Sequence, residues 1–589
     1  MAWVGLIVLF LAGCGTGFTA SVKPKEASSS ITPPPEDTQG GGGIIGGNGK
    51  TGGANPYACA AGSDPGTRDL RRLSRREYLL TLQSLTKDYA DLSQIADQVN
   101  LLPADTVSNV FDSTDASVSI GHIEAYLGIA REISAQLIAK PEWIRSVVNC
   151  EYASGMTDTC WSNFFNGFAA RVYRKPLSSQ EQADLKALFA TEVSYGVPAG
   201  LQAVTMALLQ SPNFLYKVEV AGSPLNGRED ILKMNDYETA SRLAFLATGR
   251  GPDAILMEEA RNGRLATPEG LKTAVQRLFS SAEARENVEE FYMQWLGAKR
   301  LPSSTHSDWF LAGVSRGAIA PESLQELRDL TSDLTWTKAG SYKDLLVSET
   351  SFVKGQALGT IYNGQASLPS GQRPGVLSRT AFLLSATNQT SLVHRGLLVR
   401  RNLLCDKIIF PTITDENREL FQPPKPNPLA SLREQIETRT AVPQCMACHS
   451  KLNPMGFVLE NYDALGRYQT EEKVFDANGN ILARHSINAR VRPNIESEDE
   501  PEVDGLAQMS EAIAASSKAP ACAAQQWFTF VEGREPRTSD SCSLSTLFDS
   551  LMDKERVSPS GDAPGTLLNM MKASAFESNF RVRKVGPQN

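Results

Sequence analysis

Two thiols three residues apart, followed at once by an imidazole, make up the pentapeptide Cys445-Met446-Ala447-Cys448-His449. C-x-x-C-H is the attachment pattern of a c-type haem. Each thiol can form a thioether with one vinyl group, and the adjacent imidazole meets the iron from one side. His449 is therefore the expected proximal iron ligand, and haem c the expected cofactor. Zinc is the rival, since Cys445, Cys448 and His449 are all acceptable ligands, but a structural zinc needs a fourth ligand, normally from another closely spaced pair. The sequence holds no second C-x-x-C and no H-x-x-x-H. An unmetallated redox thiol pair is the remaining alternative.

What faces His449 across the iron decides the chemistry. Methionine raises the potential and suits electron transfer, histidine lowers it, and an open position admits peroxide or oxygen. Met455, Met509, His485 and His394 are the distal candidates; Met455, only six residues on, would have to wrap round the edge of the disc. Glu460 and Asp463, three apart, can share one face near the haem and tune it or move a proton, with capping and surface roles as the ordinary alternative. No Ser-His-Asp or metal-hydrolase pattern is present, so no catalytic residue is assigned.

The N-terminus points to export. Residues 2–11 form an apolar run too short to span a bilayer, ending in Leu11-Ala12-Gly13-Cys14, which resembles a bacterial lipobox. Residues 1–13 then read as a lipoprotein signal peptide, although they lack the usual Lys or Arg, and Cys14 as the lipidated mature N-terminus. Gly15 in place of Asp favours the outer membrane by resemblance to Gram-negative lipoproteins. The expected location is the outer membrane or periplasm, with the lipid as the membrane anchor. A net charge of -8 over 589 residues argues against nucleic acid as a partner.

Nine cysteines less Cys14, Cys445 and Cys448 leave six in an oxidising compartment. Cys150 with Cys160, and Cys522 with Cys542, are nearest neighbours in sequence and would close short loops at little entropic cost. Cys59 with Cys405 follows by elimination, with free buried thiols as the alternative.

The elements around these residues read as mainly α. Residues 14–66, rich in Gly, Pro and Ser, read as a flexible linker. Apolar residues at helical spacing then run to about residue 300: Leu73, Leu80 and Leu85 on one face, Leu201, Val204 and Leu208 on another, and Leu271, Val275 and Leu278 after the helix start Thr267-Pro268. Asn235 with Glu238 forms a capping box. The expected divisions are an N-terminal helical domain over 67–145, a small helical domain over 146–200, a central helical domain over 201–370, a haem-binding domain over 371–500 and a C-terminal helical domain over 501–589. Residues 301–372 read as a boundary or extended connection, residues 376–404 as helical, and residues 474–482 as a short β-hairpin with an Asn-Gly turn rather than a calcium loop.

Several blocks together carry a resemblance. In order they are Arg71-Arg72-Leu73-Ser74-Arg75-Arg76-Glu77-Tyr78, Ala170-Arg171-Val172-Tyr173-Arg174-Lys175-Pro176-Leu177, Ser211-Pro212-Asn213-Phe214-Leu215-Tyr216 and Asp236-Tyr237-Glu238-Thr239-Ala240-Ser241-Arg242-Leu243, then Val393-His394-Arg395-Gly396 and Asn453-Pro454-Met455-Gly456-Phe457. Over roughly residues 67–585 the chain resembles the tandem domains of unknown function in secreted, cytochrome-c-like proteins of planctomycetes and myxobacteria. The resemblance implies a mostly helical extracytoplasmic protein with one haem c on Cys445, Cys448 and His449, and it adds weight to the two short-range disulfides. Phe245-Leu246-Ala247 departs from the Phe-Leu-Trp of many relatives. The leading expectation is electron transfer to or from a redox partner protein in the cell envelope. A haem peroxidase or oxidase, and a non-redox surface-binding scaffold, are the alternatives.

Overall fold

The computed structural model describes residues 55–59, 65–66, 68–108, 110–364, 369–409, 412, 414–415, 418, 424–555 and 558–585. Cys14, the signal peptide and most of the 14–66 linker lie outside these residues. Helices dominate, and the described strands form four small antiparallel sheets, the mainly α architecture expected. No helix among the described residues is long and apolar enough to cross a membrane.

Local signals placed many of the helices. Asn235 caps Asp236–Thr248 in a reciprocal box with Glu238, and Thr267 caps Pro268–Phe279 with proline in its first turn. Leu201, Val204 and Leu208 are fully buried, as are Leu271, Val275 and Leu278. On Arg75–Thr86 the buried face is Tyr78, Leu82 and Leu85 rather than the expected Leu80, because Ser74 starts the helix and so sets its phase.

One hydrophobic core gathers residues from Tyr57 to Phe580, including Trp295, Leu345, Met455 and Trp527. A second, near the N-terminus, runs from Leu73 to Leu215 and takes in Phe245 and Met257. A third, smaller one joins Phe310, Ile361 and Leu465. Residues 301–372 are not an extended connection. They contain the helix Arg316–Ser332, whose Leu327 and Leu330 belong to the main core. Its Gly/Ser-rich flanks hid that stripe. The helical stretch expected over 376–404 is broken at Leu384–Ser391, between Thr380–Leu383 and Leu392–Leu398. The end of the linker is also not free, since Tyr57 is buried and donates its hydroxyl to the Ala521 carbonyl at 2.7 Å.

Disulfides join Cys150 with Cys160, Cys59 with Cys542, and Cys405 with Cys522. The expected pairs Cys522 with Cys542 and Cys59 with Cys405 are corrected. Cys522 lies on helix Lys518–Glu532 and Cys542 at the start of the next helix, Ser541–Met552. The chain reverses between them, so Cys522 sits ~15 Å of helix rise away from the turn that Cys542 adjoins, well beyond disulfide reach. Proximity in sequence misled because the intervening residues are rigid helix.

Candidate functional site

The haem motif lies on the helix Pro443–Phe457, which begins with proline in its first turn. Helix Leu392–Leu398 crosses it at backbone contact. A Cβ on Gly396 would lie 2.2 Å from the Leu452 carbonyl oxygen, and one on Gly456 2.2 Å from that of Leu392. Only glycine fits at either position. Arg395, fully buried, then ties the crossing to the loop beyond the motif helix. Its guanidinium donates to the carbonyls of Leu383 at 2.9 Å, Tyr462 at 2.7 Å, Leu459 at 3.2 Å and also Asp463. Arg400 fixes the same helix nearer the motif, donating to the Lys451 carbonyl at 2.8 Å.

At the motif, Cys445 and Cys448 are half-exposed and free, whereas the six other described cysteines are disulfide-bonded. His449 is half-buried, its Nδ1 lying 2.8 Å from Asn453 Oδ1. The Asn453 amide donates to Thr440 Oγ1 at 3.1 Å, and the Thr440 hydroxyl donates to the Ile436 carbonyl at 2.8 Å. This relay has one polarity. Because the Asn453 amide nitrogen is spent on Thr440, its oxygen faces the imidazole, Nδ1 must carry the proton, and Nε2 keeps its lone pair. An imidazole oriented through its other nitrogen is the usual condition of a histidine that holds a metal.

The surroundings suit an apolar disc. Val442 and Met446 flank Cys445 with 49% and 39% of their surfaces exposed; Ile409, whose carbonyl lies near Cys448 Sγ, is 84% exposed. Such exposed apolar surface beside two thiols and a directed imidazole fits a haem better than a small hydrated ion. Among the described residues no group of three or more His, Cys, Asp or Glu side chains could hold a metal ion.

The distal candidates sit in different settings. Met455 and Met509 are wholly buried in the main core. His485 lies on strand Ile481–Ser486, where its charge acts on Glu434 and Glu472 near the start of helix Leu432–Thr440; the relay of His449 runs to Thr440, at the other end of that helix. His394 is exposed. It stands two residues from each of Leu392 and Gly396, which face the motif helix, and so roughly 200° round from them.

Glu460 and Asp463 do not act as a pair. Asp463 accepts from Arg467 Nε at 2.6 Å and from two backbone N–H groups. Glu460 is buried with one carboxyl oxygen unpartnered among the described residues. Burial pushes it up to about 8, Arg433 opposing and Glu472, Glu437 and Glu434 adding to the rise. The folded state therefore binds a proton that the unfolded chain has released, and stability falls as pH rises from about 5 to 8, by up to ~1.4 kcal/mol per unit. Glu460→Gln is expected to lessen that slope, leaving the share of Glu577, which burial also pushes up, to about 7, and to be the more stable form at pH 8. Urea midpoints at pH 6 and pH 8 check it; an unchanged slope would contradict the assignment.

Asn453 and Thr440 were missed in the sequence, although the four-residue step from His449 to Asn453 on a helix was a usable signal.

Four family models match the chain in tandem. They are PSD3, protein of unknown function (DUF1587), over residues 71–139; PSD5, protein of unknown function (DUF1595), over 160–219; PSD4, protein of unknown function (DUF1592), over 234–363; and PSCyt3, protein of unknown function (DUF1588), over 373–472. The chain is thus similar to four domains of unknown function in tandem, with the C-x-x-C-H motif inside the last. The matches end at residue 472, short of the 585 reached by the sequence resemblance. No curated protein and no solved structure matches the chain.

Proposed function

We propose that this chain is an exported, lipid-anchored protein that carries one c-type haem and passes single electrons to or from a partner protein in the cell envelope. One observation carries the reading: His449 is locked by Asn453 and Thr440 with Nε2 free, beside the two described thiols that disulfides leave unpaired. Cys445 and Cys448 would hold the group by thioethers and His449 would ligate its iron, supplying a one-electron couple. The chain's own contribution is to keep the Nδ1 proton on His449, to fix the ring, and to place the motif at the surface, where a partner can approach.

A second reading is peroxide or oxygen chemistry, supported by the burial of Met455 and Met509 in the main core. Carbon monoxide separates the two. A reduced spectrum that shifts with carbon monoxide, together with peroxide-dependent turnover, supports the second. A low-spin spectrum indifferent to carbon monoxide supports electron transfer and requires a distal ligand.

Support for export comes from three disulfides, which persist in oxidising compartments. Cys14→Ala is expected to move the protein from the membrane fraction to the soluble one in a Gram-negative host. Continued sedimentation with membranes would remove the lipid anchor from the account.

A further inference from the structure

A cavity of about 830 Å³ opens beside the hairpin of strands Glu471–Phe475 and Ile481–Ser486, and no residue of the motif helix lines it. The volume falls within the ~300–1,000 Å³ typical of small-molecule sites. Its walls are built rather than incidental. Asp476 accepts from the backbone N–H groups of Asn478 and Asn480 at 2.9 and 2.8 Å, shaping a turn that lays Gly479 against the indole of Trp309. A Cβ on Gly479 would meet that ring at 2.6 Å. Trp309 in turn packs on Phe475 with ring centres 5.0 Å apart, and both rings line the cavity.

The polar groups in the walls are of two kinds. The carboxylates other than Glu460 are already engaged: Asp463 by Arg467, Glu472 by the Leu432 N–H at 2.9 Å, Asp476 by its own turn. Uncommitted hydrogen-bonding capacity comes from neutral amides. Gln389, Gln435 and Gln469 each donate one N–H to a backbone carbonyl, those of Pro424, Ala430 and Glu460, which fixes the side chain and leaves its oxygen and second N–H without partners among the described residues. Glu460, 92% buried by its 8% exposure, lines the same cavity with Oε2 unsatisfied.

An unsatisfied buried polar oxygen is costly, and a ligand hydroxyl can recover that cost. Flat aromatic walls, amides that both donate and accept, and acidic groups already hydrogen-bonded within the fold are complementary to a ring carrying many hydroxyls and no charge. We propose that this cavity binds a neutral carbohydrate, one sugar ring or a short chain of them, held against Trp309 and Phe475 and hydrogen-bonded by Glu460, Gln435 and Gln469. A charged sugar would find no free counter-charge except the exposed Lys473. Burial keeps the Glu460 carboxyl protonated near neutral pH, so it can donate as well as accept. The proposal does not depend on the haem.

The test is calorimetric titration of the full-length protein with neutral tetrasaccharides of the cello-, xylo-, manno- and chito- series, with a tetragalacturonate as the charged control. At least one neutral probe is expected to bind, the charged control is not, and Trp309→Ala should weaken binding at least tenfold. Should Trp309→Ala lose its folded circular dichroism, Glu460→Leu carries the test, since it keeps a similar volume, removes both hydrogen-bonding oxygens and should weaken binding severalfold. No binding by any neutral probe, preference for the galacturonate, or undiminished binding in folded Trp309→Ala and in Glu460→Leu would each overturn the proposal. The absorption spectrum of the same samples reports separately on the haem.

Discussion

Replacing Arg395 by methionine is expected to lower stability by ~4 kcal/mol or more, the largest stability loss foreseen for any single side chain around the motif helix. Arg395 is 1% exposed and donates to four different carbonyls, three of them in the segment that follows the motif helix. Methionine fills much of the volume but takes the side-chain donor from the buried Leu383 and Tyr462 carbonyls, while Leu459 and Asp463 keep the N–H groups of Tyr462 and Gly466. Lysine should fare little better, because one ammonium cannot reproduce the fork that reaches the Leu383 side and the Tyr462 side at once. Against a total stability of ~5–15 kcal/mol for a typical domain, either change should bring the urea midpoint down sharply. Arg484→Met is the control: that side chain is 49% exposed, and its loss should fall within ~0.5 kcal/mol of wild type. An Arg395→Met protein within 1 kcal/mol of wild type would show that these carbonyls find other partners.

The second large effect is expected at His449. His449→Ala removes the only imidazole the motif directs toward a haem, so the reduced spectrum should lose the signature of nitrogen ligation and recover it when imidazole is added. Asn453→Leu is the graded version. It keeps the ligand but deletes the acceptor of the Nδ1 proton and strands the Thr440 hydroxyl oxygen. Partners of this kind are worth ~10–100-fold in ligand hold, so His449 should be displaced by competing imidazole at correspondingly lower concentration. The imidazole also becomes the poorer electron donor, which shifts the midpoint potential upward. A variant with wild-type displacement and potential would reduce Asn453 to a packing residue.

Helix starts were legible because they depend on neighbours in sequence: Asn235 with Glu238 and Thr267 with Pro268 each mark where a helix begins. The cofactor motif was legible for the same reason. What the sequence concealed were contacts across long separations. Arg174, Arg242 and Arg395 sit inside the recognised blocks, yet nothing local announces that they are buried and donate to carbonyls 39 to 338 residues away, as Arg174 does to Asn213, Arg242 to Phe580 and Arg395 to Tyr462. Gly396 and Gly456 are likewise explained only by the helix each one touches. The disulfides show the same limit. Cys150 and Cys160 are joined across a short irregular loop, whereas the pairs across 117 and 483 residues depend on how helices stack. Glu460 looked like half of a carboxylate pair, but Asp463 turned to Arg467 and left it alone in the wall of a cavity.

The central claim is tested most directly by the mass of the peptide that bears Cys445 and Cys448, taken from protein produced in a host able to mature c-type cytochromes. The account predicts a peptide heavier by one haem, absorbing in the visible, with both thiols closed to alkylation. A colourless peptide of unmodified mass, alkylated at both cysteines, would contradict it.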